Sequence, residues 1–158
     1  MKPIIIYDSI ICKMLTMFGG YSAITLMTII FFKRVKEKVK QDDITHETTH
    51  SLQQFEMIMI GIVISILLGF IIGFNWWLIS IPLLLFYVIY GLEYIIALPF
   101  NKFMNNDSYH TISFEEEAYD NEDNINYPNE RKWFSWIKYL GNVKRKGWDL
   151  FLNLIFLY

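Results

Sequence analysis

A mainly α membrane protein, built on a two-helix transmembrane hairpin with a short N-terminal β-hairpin, is the fold class this sequence predicts. Three observations carry it. Between Met57 and Phe100 there is no Lys or Arg, and Glu93 is the only acidic residue. Hydrophobic residues make up 54% of the 158-residue chain and charged ones 19%, which is membrane rather than soluble composition. Basic residues flank the apolar stretch on both sides and are missing from its middle.

Taken in order, the start MKPIIIYDSIICKM carries an apolar run, but Asp8 and Lys13 interrupt it and no small-residue cleavage site follows. A secretory signal is not expected. The stretch 14–32 is long enough for a third span. Gly19-Gly20 breaks it, however, and threonines recur at 16, 25 and 28. Residues 22–32 are rich in β-branched and aromatic types, so a strand pair over about 4–11 and 22–32 is expected, with the third span as the alternative. Lys33, Arg34, Lys36, Lys38 and Lys40 form either a solvated basic segment or a contact for anionic headgroups. Asp42 or Asp43 then offers a helix N-cap.

The apolar stretch suits two spans, about 55–73 and 77–99, divided at Gly73-Phe74-Asn75-Trp76-Trp77. Pro82 falls in the first turns of the second helix, where it is tolerated. Glu93 lies near its far end, within reach of headgroups or a polar site. A hairpin returns the chain to its starting side, so residues before 55 and after 100 face the same water. The charge pattern, with Lys102, Arg131, Lys132, Lys138, Lys144, Arg145 and Lys146 after the hairpin, makes that side cytoplasmic. NKFMNNDSYH and 120–130 read as loop, and Ser113 with Glu116 as a capping box for a helix from Phe114. In RKWFSWIKYL, Trp133, Trp136, Ile137 and Leu140 share one face of an amphipathic helix, and the tail WDLFLNLIFLY is too short to span. The chain forms one membrane-associated domain, 1–158, and membrane lipid is its expected neighbour. A net charge of −2 gives no reason to expect nucleic acid. The lone Cys12 rules out an intrachain disulfide and a thiolate zinc cluster.

HETTH, residues 46–50, is the chemically loaded word. On a helix His46 and His50 lie one turn apart on one face and can offer two imidazoles to one Zn²⁺. Glu47 beside them can take a proton from a water that attacks a carbonyl, the metalloprotease arrangement. A third ligand must come from elsewhere. Glu115, Glu116 and Glu117 open the later helix, and either one is a ligand or all three simply favour a helix N-terminus. His110 is a candidate extra ligand or donor, and Tyr109 and Tyr119 are candidate oxyanion donors.

HETTH with the downstream FEEEAY, residues 114–119, resembles the glutamate-zincin peptidases, above all their membrane-embedded Ste24/HtpX-like and BlaR1/MecR1-like branches. The pair HETTHSLQQ (46–54) and SFEEEAY (113–119) is also similar to a family of small uncharacterised bacterial membrane proteins, over roughly residues 18–140. The resemblance implies a zincin-like helix pair, one Zn²⁺ per chain and Glu115 as third ligand, with Glu117 as the alternative. Tyr119 replaces the usual Asp of the motif, and Asp120 could take its supporting role. The chain thus divides into 1–54 with the strand pair and the start of the histidine helix, 55–100 with the hairpin, and 101–158 with the expected second ligand helix and amphipathic tail. The resemblance places the protein in a bacterial inner membrane, with a peptide or protein substrate docking on the strand Ile24–Phe32.

The expected activity is therefore a zinc metalloendopeptidase with Glu47 as general base. One alternative is a non-enzymatic anchor or interaction protein. Another is a di-iron carboxylate protein, for which Glu47–His50 supplies one E-x-x-H unit and Asp107–His110 only an imitation of a second. Substrate and oligomeric state stay open.

Overall fold

A computed structural model describes residues 2–17, 21–104 and 109–141. In chain order these form β1 (Ile4–Ile6), α1 (Ile10–Leu15), β2 (Ala23–Leu26), β3 (Ile29–Phe32), α2 (Gln41–Ile72), α3 (Ser80–Met104), α4 (Ser113–Asn121) and α5 (Tyr127–Glu130). Single 3-10 turns lie at Lys36–Lys38, Trp76–Ile79, Tyr109–Thr111 and Ser135–Tyr139. The fold is mostly helical, with a small three-stranded sheet and two helices long and apolar enough to cross a membrane. The Gly19-Gly20 break, Asp107, the basic residues 144–146 and the apolar tail lie outside the described residues.

α2 is one unbroken helix of 32 residues that carries the histidines and the first apolar run together. Its β-branched threonines survive inside a helix because their hydroxyls bond back one turn. Thr45, Thr48 and Thr49 donate to the carbonyls of Gln41, Ile44 and Thr45 at 3.1, 2.6 and 3.0 Å. The helix starts earlier than expected. Lys40 is the N-cap, and its N–H donates to Asp43 Oδ2 at 3.1 Å, so the acidic pair sits inside the first turn. α2 ends at Gly73, whose φ of 88° a side chain would resist. The chain then turns through Asn75 into the 3-10 turn and α3, where the sequence places the turn.

The helices of the hairpin come into close contact at Gly61. A Cβ there would stand 2.4 Å from Pro82 Cα, so the absence of a side chain sets the approach. Ser65 Oγ lies 2.8 Å from the carbonyl oxygens of both Gly61 in α2 and Leu78 in the connecting turn, and its single proton serves one of them at a time. Burial along α2 is inverted relative to a soluble helix. Thr45, His46, Thr49, His50, Gln53 and Glu56 are buried, while Phe70 and Ile71 are each 77% exposed.

The N-terminal strands differ from the expected pair. Residues 22–32 are themselves a hairpin, β2–β3, closed by the two-residue turn Met27-Thr28 with Met27 at φ 55°. The first run is strand only over Ile4–Ile6, pairs parallel with β3 and continues into α1. The reason is Ser9, whose Oγ accepts from Cys12 N and caps a helix where a continued strand was expected. With 23–26 and 29–32 in a sheet, the described residues of 14–32 form no third span.

The small core is Met57, Phe86, Ile112, Phe114 and Trp136, which joins α2, α3, α4 and the 135–139 turn. Residues 132–140 form no amphipathic helix. Phe134 sits in the left-handed region at φ 59°, and a 3-10 turn buries Trp136 while leaving Trp133 and Ile137 exposed. The expected loop 120–130 contains α5, and residues 101–104 belong to α3. The Ser113–Glu116 capping box also gives way. Ile112 is the N-cap of α4, and Glu93 of α3 caps it from outside, accepting from Ser113 N at 2.6 Å and Ser113 Oγ at 2.8 Å.

Gly61→Leu is expected to force the hairpin apart and cost about 1–3 kcal/mol. Gly91→Ala, with open space around it, is expected to be neutral or to stabilise by up to about 1 kcal/mol. Denaturant titration of both variants in detergent micelles checks the contrast.

Candidate metal centre

α2 presents His46 and His50 on its buried face, and α4 packs across them so that Glu115 meets both. The two Nε2 atoms are 3.1 Å apart. His46 Nε2 lies 3.3 Å from Glu115 Oε2, and His50 Nε2 lies 3.3 Å from Glu115 Oε1. A tetrahedral ion with bonds of about 2.0–2.1 Å has ligand–ligand edges of about 3.3–3.4 Å. The two imidazole nitrogens stand a little inside that edge length, and each is 3.3 Å from one oxygen of the same carboxylate, Oε2 for His46 and Oε1 for His50.

The ring tautomers follow from the partners. Gln53 Nε2 donates to Phe114 O at 2.9 Å and to Glu117 Oε2 at 2.8 Å, so the amide can face His50 only with its oxygen. That oxygen lies 2.8 Å from His50 Nδ1, which must carry the proton. Glu122 Oε2 lies 3.0 Å from His46 Nδ1 and fixes the second ring in the same way. Both Nε2 lone pairs therefore point at one carboxylate. Tyr90 OH donates to Glu115 Oε1 at 2.9 Å, while Oε2 is buried with no hydrogen-bond partner. Two lone pairs and an orphaned carboxylate oxygen repel unless a cation lies among them. His46, His50 and Glu115 could hold a metal ion.

The electrostatics agree. Burial alone would lower the His50 pKa, yet the neighbouring Glu115 outweighs it and pushes the value from 6.5 up to about 9. Burial alone would raise Glu115, but the two imidazoles hold its carboxyl well below the usual carboxylate range. The pocket attracts positive charge, as a proton or as a metal.

Glu47 is held beside this group by the sheet. Thr25 Oγ1 of β2 donates to Glu47 Oε2 at 2.6 Å. Ala23, Thr25, Glu47, His50, Tyr90 and Tyr109 are among the residues that line one cleft of about 200 Å³. Burial and the nearby Glu115 raise the Tyr109 pKa, so its phenol stays protonated.

The other expected residues fall elsewhere. Glu117 is fully buried but faces away from the histidines. Its Oε1 accepts from Tyr127 OH and Arg131 Nε, both at 2.7 Å, and its Oε2 from Arg131 Nη2 at 3.1 Å. Positions 115 and 117 point about 200° apart on a helix, so one serves the histidines and the other the arginine. Asp120 is exposed, and the carboxylate supporting His46 is Glu122 instead. Tyr119 meets the His46 ring edge-on at 4.4 Å and His110 packs on Tyr119 at 4.3 Å, but neither lines the cleft. Tyr90, Gln53, Glu122 and Thr25 have no role among the sequence-based expectations. Spacing alone points to Gln53, three residues beyond His50 on the same face, and to Glu122, two turns beyond Glu115. Tyr90 and Thr25 carry no such local signal. Among the described residues this is the one group of its kind, enough for one ion but not for the paired set of a di-iron centre.

No family model matches the chain. No curated protein matches it, and no solved structure does.

His46→Ala and Glu115→Ala are each expected to abolish binding of one zinc per chain, read by metal analysis after dialysis. Gln53→Leu keeps all three ligands and should weaken binding about 10–100-fold. Because the proton on His50 competes with the ion, zinc affinity should climb with pH by about tenfold per unit and level off above about 9. Competition titration against a chelating dye measures that slope.

Proposed function

We propose that the protein is a membrane-anchored zinc peptidase that hydrolyses a peptide bond close to the cytoplasmic membrane face. The observation that carries this reading is the buried Glu115 carboxylate set 3.3 Å from the Nε2 of each of two histidines, its Oε2 without a hydrogen bond, with Glu47 on the wall of the cleft beside them. Two histidines, one glutamate and an open position are the donor set of hydrolytic rather than structural zinc. When bound, the ion would supply Lewis-acid polarisation of a carbonyl and would make a water molecule acidic near neutral pH.

The chain's own residues do the rest. Thr25 occupies Glu47 Oε2 and so orients the carboxylate, which takes a proton from the attacking water and delivers it to the leaving amine. The Tyr109 phenol, kept protonated by burial, is a donor for the carbonyl oxygen as negative charge develops there. Gln53 and Glu122 keep both rings in the tautomer that presents Nε2.

Membrane anchoring is supported by the outward-facing apolar surface of α2 and α3. A two-helix hairpin brings the sheet, the histidines and α4 to one side, and the basic residues on both flanks favour the cytoplasm.

Glu47→Gln should retain one zinc per chain and lower hydrolysis of a fluorogenic peptide library by at least about 10²-fold. Vesicle-reconstituted protein with zinc analysis run in parallel measures both. A zinc-loaded wild type that cleaves nothing would sink the peptidase reading and leave a metal-binding anchor.

A further inference from the structure

In an antiparallel pair, alternate residues turn their backbone groups to opposite edges. Ile4 N donates to Thr28 O at 2.8 Å, so on β3 the groups of Ile30 face β1 and those of Ile29 and Phe31 face β2. Their partners Leu26 and Ile24 therefore face inward. Ala23, Thr25 and Met27 present their backbone groups to the outer edge of β2, and Ala23 and Thr25 border the metal cleft.

Part of that edge is already taken. Gln54 Nε2 donates to Thr25 O at 2.8 Å, and Gln54 Oε1 accepts from Met27 N at 2.5 Å. One carboxamide thus makes the two bonds that the N–H and C=O of one residue in an adjoining parallel strand would make. Gln54 is 4% exposed, so this is a built contact. The amide in place also shows which chemistry the edge accepts.

We propose that Gln54 is a built-in stop on the substrate edge. An extended peptide engages the backbone of Ala23 and the N–H of Thr25, and it cannot run past Thr25 because Gln54 holds the next acceptor and donor. This deepens, and rests on, the peptidase reading. It makes the protein selective for substrates gripped over roughly two residues on that side of the scissile bond, about 7 Å of strand.

Amide exchange by NMR on zinc-loaded protein in micelles separates the two layers. Without peptide, the Met27 amide should exchange at least about tenfold more slowly than those of Ala23 and Thr25. Gln54→Ala should remove the difference, and Gln54→Glu, which keeps the acceptor, should retain it. Equal exchange at the three wild-type amides overturns the stop while leaving the peptidase reading intact. A peptide hydroxamate should then slow Ala23 and Thr25 without changing Met27. If Met27 is protected but the peptide slows neither, peptide docking fails and the proposal with it. Lengthening the peptide by two residues toward Met27 should tighten binding less than about twofold in the wild type. In Gln54→Ala it should gain roughly two- to tenfold per added backbone bond. An equal gain in both proteins overturns the stop.

Discussion

One guanidinium, that of Arg131, sits between two buried carboxylates, and the position of α4 against α2 rests on it. Arg131 binds Glu56 through Nη1 and Nη2 and Glu117 through Nε and Nη2. Two carboxylates against one cation leave an excess negative charge in the interior, which would be costly alone. Neutral donors absorb it. Phe134 N and Trp136 Nε1 donate to Glu56, while Tyr127 OH and Gln53 Nε2 donate to Glu117. Such a network adds little net stability over an apolar core, but its geometry admits few alternatives. With Glu117 held, Glu115 is turned to the histidines. With Gln53 held by Glu117, His50 has one tautomer. The group that could hold a metal thus inherits its order from a neighbouring cluster outside it.

The parts legible in the sequence are those set by local periodicity. HETTH lies on a helix, as the one-turn spacing of its histidines requires for a shared face, and the turn at Gly73–Trp77 interrupts an apolar run at the right length. The parts that were not legible depend on contacts distant in sequence. β1 pairs parallel with β3, an arrangement that no alternation in 4–11 reveals. The face shared by Trp133, Trp136 and Ile137 looked helical, but Glu56 draws the Trp136 indole inward and the chain departs from helical geometry at Phe134. Asp120, one position past the motif, is the expected stand-in for the motif's aspartate, yet it is exposed. Glu122, two residues on, takes that place because it lies two turns from Glu115 along the same face.

Glu93 shows how a residue read in isolation acquires a meaning. In the sequence it is a lone carboxylate in an apolar run. In the fold it supplies the N-terminal cap that α4 lacks, since Ile112 has no side-chain acceptor. α3 therefore holds the near end of α4 and Arg131 holds its middle. The same helix is steadied by one helix of the hairpin and by the segment that follows it, and Glu115 lies between the two supports.

The continuity of α2 has a geometric consequence. His50 and Met57, where the apolar run begins, belong to one rigid rod, and at 1.5 Å per residue they are about 10 Å apart along its axis. No hinge separates them. On the membrane-anchored reading, the height of the cleft above the hydrocarbon is then a fixed ruler length. A bond is reachable when its distance from the lipid matches that length, whatever the residues beside it.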